Sequence, residues 1–239
     1  MPEPVSDLHF ITATVCPFAQ RSHLALLEKG LDFKHSEINL RDKPAWFEAI
    51  SPYSKVPVLQ RGGNVIYEPA IINQYLEDVY PEPARMPADP GQRAMARIWI
   101  DYDNVKFTVA FYRVLLEQDR ERRAVLVQSI TDMLGVIEDE ALGKLGYADG
   151  NAGPYFLGSE ISLADLSFYP HLERFGVLIE YRGIDMPARF ERLRAWLAAM
   201  VVRPSVQATS HSADYHVEAY KRYADGSADG TAARYIRAA

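Results

Sequence analysis

The stretch PEPARMPADPG, residues 81–91, holds four prolines in eleven positions. Each proline lacks a backbone N–H and pushes the residue before it toward extended backbone, so neither a helix nor a central strand continues through it. The stretch therefore reads as a linker, 81–91, between a first domain over residues 1–80 and a second over 92–239. The two sides differ in pattern. Before the linker, LHFITAT (8–14) is a β-rich run. FAQRSHLALLEKG (18–30) follows with Leu24, Leu27 and Leu31 at helical spacing and Gly30 as a stop, and FKHSEINL (33–40) alternates apolar and polar residues as a half-buried strand does. The segment KPAWFEAI, the loop SPYSK, a strand VPVLQ, a Gly-Gly turn at 62–63, a strand NVIYE and a helix PAIINQYLEDVY complete the order β-α-β-α-β-β-α. The first βαβ unit predicts parallel pairing, and the glycine turn predicts a hairpin.

Beyond the linker the periodicity is helical. Ile98, Tyr102, Val105, Val109, Tyr112 and Leu116 fall on one predicted face, as do Leu126, Ile130, Met133 and Ile137. GNAGPYFLGSE (150–160) reads as a loop. Ser162 to Asp165, SLAD, reads as a capping-box variant ahead of a helix that Pro170 should bend. PARFERLRAWLAAM (187–200) is a further amphipathic helix with Pro187 in its first turn, and the tail SADGTAARYIRAA reads as loosely held. No internal repeat is present.

With 48% hydrophobic and 24% charged residues, the composition is that of an ordinary globular protein. A formal charge of -6 lacks the basic excess that a nucleic-acid surface needs. No apolar run spans a bilayer, and the start MPEPVSDLHF lacks a secretory leader, so the expected compartment is the cytosol, with no membrane partner. The one cysteine, Cys16, allows neither an internal disulfide nor a multi-cysteine metal site. The six histidines show no metal-like spacing. Cys16 stands where the first strand gives way to the first helix. There it is either a small buried hydrophobe or a thiolate stabilised by the N–H groups and positive end of the helix. Pro17 suits the first helical turn, where its missing N–H costs nothing.

CPFAQR at a strand-to-helix junction, KVPVL some forty residues later, IYEPAIINQYLE leading a helix, and SLAD in a helical second half together resemble a cytosolic glutathione transferase. The nearest pattern is the omega class and its cysteine-type relatives. The resemblance is dense over residues 8–80 and looser beyond. It implies an α/β thioredoxin-like N-terminal domain plus an all-α C-terminal domain, the glutathione transferase fold, and a homodimer. It implies Cys16 as the catalytic thiol and glutathione as co-substrate, with no metal. Phe18 would shield the sulfur, and Lys43 would reach the glycine carboxylate of glutathione. The backbone of Val56, before a cis-Pro57, would pair with the peptide, and Glu68 would accept from the γ-glutamyl ammonium group. At position 69 the chain departs from the family's serine. Pro69 offers neither hydroxyl nor N–H to the γ-glutamyl carboxylate, and losing both costs roughly 2–5 kcal/mol unless other groups compensate.

His171, in FYPHLERF, resembles the omega-class segment that lines an acceptor pocket, although a helix-surface histidine is the plainer reading. Tyr102, Phe107, Phe111, Tyr112, Tyr169 and Phe175 could supply an apolar pocket across the domain cleft, while most of them must be core. The expected activity is thiol transfer, dehydroascorbate reduction or deglutathionylating lysis of a small hydrophobic or glutathionylated substrate through a Cys16–glutathione mixed disulfide. Two alternatives stay open. One is a non-catalytic regulator on the same fold, of the stringent-starvation type, which Pro69 favours. The other is a conventional conjugating transferase.

Overall fold

Four strands form one sheet in the order β2-β1-β3-β4, assembled from β1 (Leu8–Thr12), β2 (Lys34–Glu37), β3 (Val58–Arg61) and β4 (Asn64–Tyr67). The computed structural model describes residues 7–145 and 152–238; the opening MPEPVS and the first two residues of the loop at 150–160 lie outside them. The chain divides into two units, Met1–Arg85 and Met86–Ala239.

In the first unit β1 and β2 run parallel, joined by α1 (Pro17–Glu28), and β3 and β4 form an antiparallel hairpin on the other side of β1. Gly62 and Gly63 both take positive φ, 52° and 85°, the backbone a two-residue hairpin turn demands and the reason both positions are glycine. Helices α2 (Ala45–Ile50) and α3 (Pro69–Val79) complete the unit. This is the thioredoxin-like arrangement the sequence predicts. The strand expected over 33–40 is shorter, and its side chains are mostly exposed. β2 lies at the sheet edge, so only the flanking Ile38 reaches the core. That core gathers Ile11, Ala13, Ala19, Ile38, Phe47, Val56 and Val58, with Cys16, Ile50 and Tyr67 packed against it.

The second unit is helical: α4 (Pro90–Tyr102), a π-helical turn (Asp103–Phe107), α5 (Thr108–Leu116), α6 (Arg120–Val136), a second π-helical stretch (Ile137–Leu145), α7 (Leu163–Glu173), α8 (Gly176–Arg182), α9 (Glu191–Val201), α10 (Pro204–Thr209), α11 (Ala213–Ala224) and α12 (Thr231–Ala238). The single face expected from Ile98 to Leu116 is broken. Tyr112 and Leu116 are buried, but Ile98 and Val105 are more than half exposed, and Ala96, Trp99, Asp103 and Phe107 turn inward instead. Ala96 and Trp99 lie before the π-helical turn, so the packing of α4 on α7 fixes the inward side from the start.

The SLAD capping box is present. Asp165 accepts from the Ser162 N–H at 2.8 Å and, deeper in the core, from Trp196 Nε1 at 2.8 Å and the Phe156 N–H at 3.0 Å. The helix expected to begin at Pro187 begins at Glu191. The buried carboxylate of Glu138 takes the N–H groups of Arg192 and Leu193 at 3.0 and 2.7 Å, and so sets that start. The tail is a helix, not a loose end: α12 packs on α5 with Ala233 and Ile236 buried.

Candidate functional site

Between β1 and α1 the backbone makes a tight turn, closed by the Cys16 N–H donating to the Ala13 carbonyl at 2.9 Å. Cys16 is the N-cap of α1, with extended backbone (φ -86°, ψ 113°), and Pro17 opens the helix. The Cys16 carbonyl accepts the first intrahelical bond from Gln20 at 3.1 Å. Helix geometry aims the remaining first-turn N–H groups, those of Phe18 and Ala19, toward the Cys16 end. The side chain is half-buried, neither sealed in the core nor fully in solvent. Phe18 is also half-buried, and the buried guanidinium of Arg21 lies 5.0 Å from its ring centroid, a cation–π contact that holds the ring in place.

The sheet register brings two further segments to this end of the first unit. Ile11 pairs with Val58 and Val58 with Tyr67, so the residues just before β3 and just after β4 emerge beside the start of the Cys16 turn. The first segment is Val56–Pro57, whose peptide bond is cis and whose side chains are buried. Val56 lies ahead of the ladder that begins at Val58 and packs in the same cluster as Cys16. The second is Glu68–Pro69. Glu68 has φ 68° and ψ 118°, a conformation that costs a non-glycine residue of order 1–3 kcal/mol and persists only where the surroundings impose it. Its exposed side chain does not cap its own helix. Pro69, at the first position of α3, contributes no N–H, so the helix offers those of Ala70 and Ile71 at that end.

Lys43 belongs to the same unit. Its ammonium donates to the Ser54 carbonyl at 2.7 Å and to the Ser54 hydroxyl at 3.1 Å, fastening the loop that leads into Val56. Ser54 itself has φ 50°.

The aromatic residues expected to line a pocket belong to the second unit, and most are core. Phe107, Phe111 and His171 have no exposed surface, and Tyr112 and Tyr169 almost none. His171 is therefore neither a surface histidine nor exposed to a pocket. Its ring packs edge-on against Phe111 and Tyr112, and Nδ1 lies 3.5 Å from the Thr108 hydroxyl. The reason is the surroundings of α7, which is buried along nearly its whole length, so that every face of it is core. Burial raises the Tyr169 phenol to about 12. Phe175 is buried as well. Only Tyr102 keeps substantial exposure; it lines an open hollow with Val125, Met133 and Val136, and burial raises its phenol too.

Periodicity and motif spacing did not reveal the Arg21–Phe18 contact, the Lys43–Ser54 clasp or a bond from Glu37 Oε1 to the Thr14 N–H at 3.0 Å. The last spans 23 residues and depends on strand register. Among the described residues no group of three or more His, Cys, Asp or Glu side chains could hold a metal ion, and no helix is long and apolar enough to cross a membrane.

Residues 10–84 match the family model for the glutathione S-transferase N-terminal domain, and residues 116–199 that for the C-terminal domain. Glutathione S-transferase omega-1 of Sus scrofa is 30% identical over 208 residues, covering 87% of this chain and 82% of its own length. Glutathione S-transferase DHAR2 of Arabidopsis thaliana is 30% identical over 195 residues, covering 81% and 83%. The crystal structure of glutathione transferase Omega 3C from Trametes versicolor superposes with a TM-score of 0.81 at 30% identity, over 91% of this chain and 90% of that one.

Proposed function

This chain belongs to the glutathione S-transferase family, and on that premise we propose that it is a cysteine-type member, a cytosolic homodimer that moves glutathione off a small hydrophobic or glutathionylated substrate through Cys16. The observation that carries this reading is the half-buried thiol at the N-cap of α1. A helix N-terminus favours the thiolate, the form that attacks sulfur. A hydroxyl in that place could only donate a hydrogen bond to the thiol of bound glutathione; a cysteine can form a bond of its own.

In the thiol-transfer cycle Cys16 Sγ attacks the glutathione sulfur of a mixed disulfide. The new S–S bond forms as the old one breaks, and the substrate leaves as a thiolate that takes a proton from solvent. With a glutathionyl ketone the bond that breaks is C–S; the carbon keeps the electron pair and takes the proton. Cys16 is freed when a second glutathione thiolate attacks its adduct, giving oxidised glutathione, so glutathione supplies the two electrons that reduce the substrate. The chain has one cysteine and hence no internal resolving thiol. Reduction of dehydroascorbate would take two glutathiones: Cys16 and the first supply the two electrons and are left as the mixed disulfide, and the second frees Cys16 as oxidised glutathione forms.

For binding the co-substrate, the Val56 backbone and the Glu68 carboxylate suit a peptide and an ammonium group. Lys43 suits a carboxylate once it leaves or shares Ser54. Exposed Ile71, Ile98, Val105 and Val125 support an apolar subunit contact. Pro69 supports a second reading, a regulatory protein on the same fold that no longer holds glutathione.

The test is intact mass after incubation with oxidised glutathione, together with steady-state kinetics. A single glutathione adduct on Cys16 and ping-pong kinetics are expected. Robust conjugation of chlorodinitrobenzene that survives Cys16→Ala, with no adduct, would instead mark a conventional conjugating transferase. Failure to bind immobilised glutathione at all would favour the regulatory reading.

A further inference from the structure

We propose that Glu37 is a positioning residue for Cys16, acting through the peptide group between Ala13 and Thr14; the inference rests on the reading of Cys16 as the nucleophile. β1 and β2 are parallel, with Thr12 paired to Glu37, so both strands end side by side where the Cys16 turn rises. The Ile38 N–H donates to the Thr12 carbonyl at 2.9 Å and carries the ladder to that point. One step further the backbone ladder stops and a side chain takes over, with Glu37 Oε1 accepting from the Thr14 N–H at 3.0 Å.

The Thr14 N–H and the Ala13 carbonyl belong to the same planar peptide unit. Its carbonyl accepts from the Cys16 N–H at 2.9 Å, the bond that closes the turn. Glu37 therefore holds one pole of a rigid group whose other pole holds Cys16. Rotation of that plane would swing the carbonyl away and leave the N-cap residue of α1 without its backbone anchor. Donation to a carboxylate also polarises the peptide, which strengthens the acceptor facing Cys16.

Carboxylate charge and hydrogen bond act on the thiolate in opposite directions, which makes the idea testable. A nearby negative charge disfavours the thiolate, whereas a fixed turn keeps it on the helix N-terminus. Glu37→Gln removes the charge and keeps an acceptor; Glu37→Ala removes both. The comparison is the pH profile of Cys16 alkylation by iodoacetamide in wild type and both variants, with amide exchange at Thr14 as a second readout.

The midpoint in Glu37→Ala should lie above that in Glu37→Gln by about half a pH unit, about threefold in thiolate fraction, the scale of one exposed hydrogen bond. Thr14 exchange should quicken in the alanine variant alone. Coincident midpoints in the two variants would overturn the proposal. A wild-type midpoint near the ordinary thiol value of about 8.5 would instead count against Cys16 as an activated nucleophile, and the order of the two variants would still decide the role of Glu37.

Discussion

Cys16 and Pro69 both sit at helix N-termini, and the proposed chemistry turns on them. Cys16 caps α1 in extended backbone, half-buried, with its carbonyl already in the helix. Cys16→Ser should keep the fold and abolish thiol-transfer turnover, because a hydroxyl cannot form the mixed disulfide. Alkylation of wild type at mildly acidic pH should be fast, and a thiol inert to iodoacetamide would sink the enzymatic reading. Pro69 is the departure. In the proposed binding mode it would face the γ-glutamyl carboxylate without an N–H or a hydroxyl, leaving the N–H groups of Ala70 and Ile71 in that turn. Pro69→Ser should tighten glutathione binding, about tenfold for each 1.4 kcal/mol recovered, measured by calorimetry. An unchanged dissociation constant would mean that the remaining groups already satisfy the carboxylate.

At the level of elements, the contact between α1 and β2 carries a built-in acid sensitivity. His23 on α1 and His35 on β2 lie 5.5 Å apart between Phe10 and Phe33. Burial, and secondarily the neighbouring His35, lowers His23 from 6.5 to about 4. The folded state then holds that proton less tightly than the unfolded chain, so stability is lost as pH falls from about 6.5 and the loss is complete below about 4. Allowing for solvent screening, the loss is about 1–2 kcal/mol. Urea midpoints at pH 7 and pH 4 should fall further apart in wild type than in His23→Phe, which keeps the ring and removes the charge. Equal separations would assign the acid response to other groups.

The molecule as a whole is expected to pair. Exposed apolar side chains on α3, α4 and α6, and Val105 in the π-helical turn, lie on surfaces that a second copy can cover. Light scattering at micromolar concentration should report a particle of twice the 27.0 kDa chain mass. A particle of 27.0 kDa would contradict the homodimer. Closed two-fold pairing would use the same patch on both subunits.

The features legible in the sequence were those whose cause lies within a few residues. Proline chemistry marked the break after α3, two glycines marked the β3–β4 turn, and the Cys-Pro pair marked the start of α1. The capping box at Ser162 and Asp165 announced α7. What the sequence left open depends on residues far apart in the chain. The packing of α4 on α7 and of α5 on its neighbouring helices set the inward face and put Phe107 and Phe111 in the core, and the surroundings of α7 did the same for His171. Glu138 set the start of α9 from 54 residues away, and Glu37 reached Thr14 across 23. Local backbone chemistry chooses the elements and their caps; which side of each element meets water, and which distant carboxylate finds which N–H, is settled only when burial and register act on all of them together.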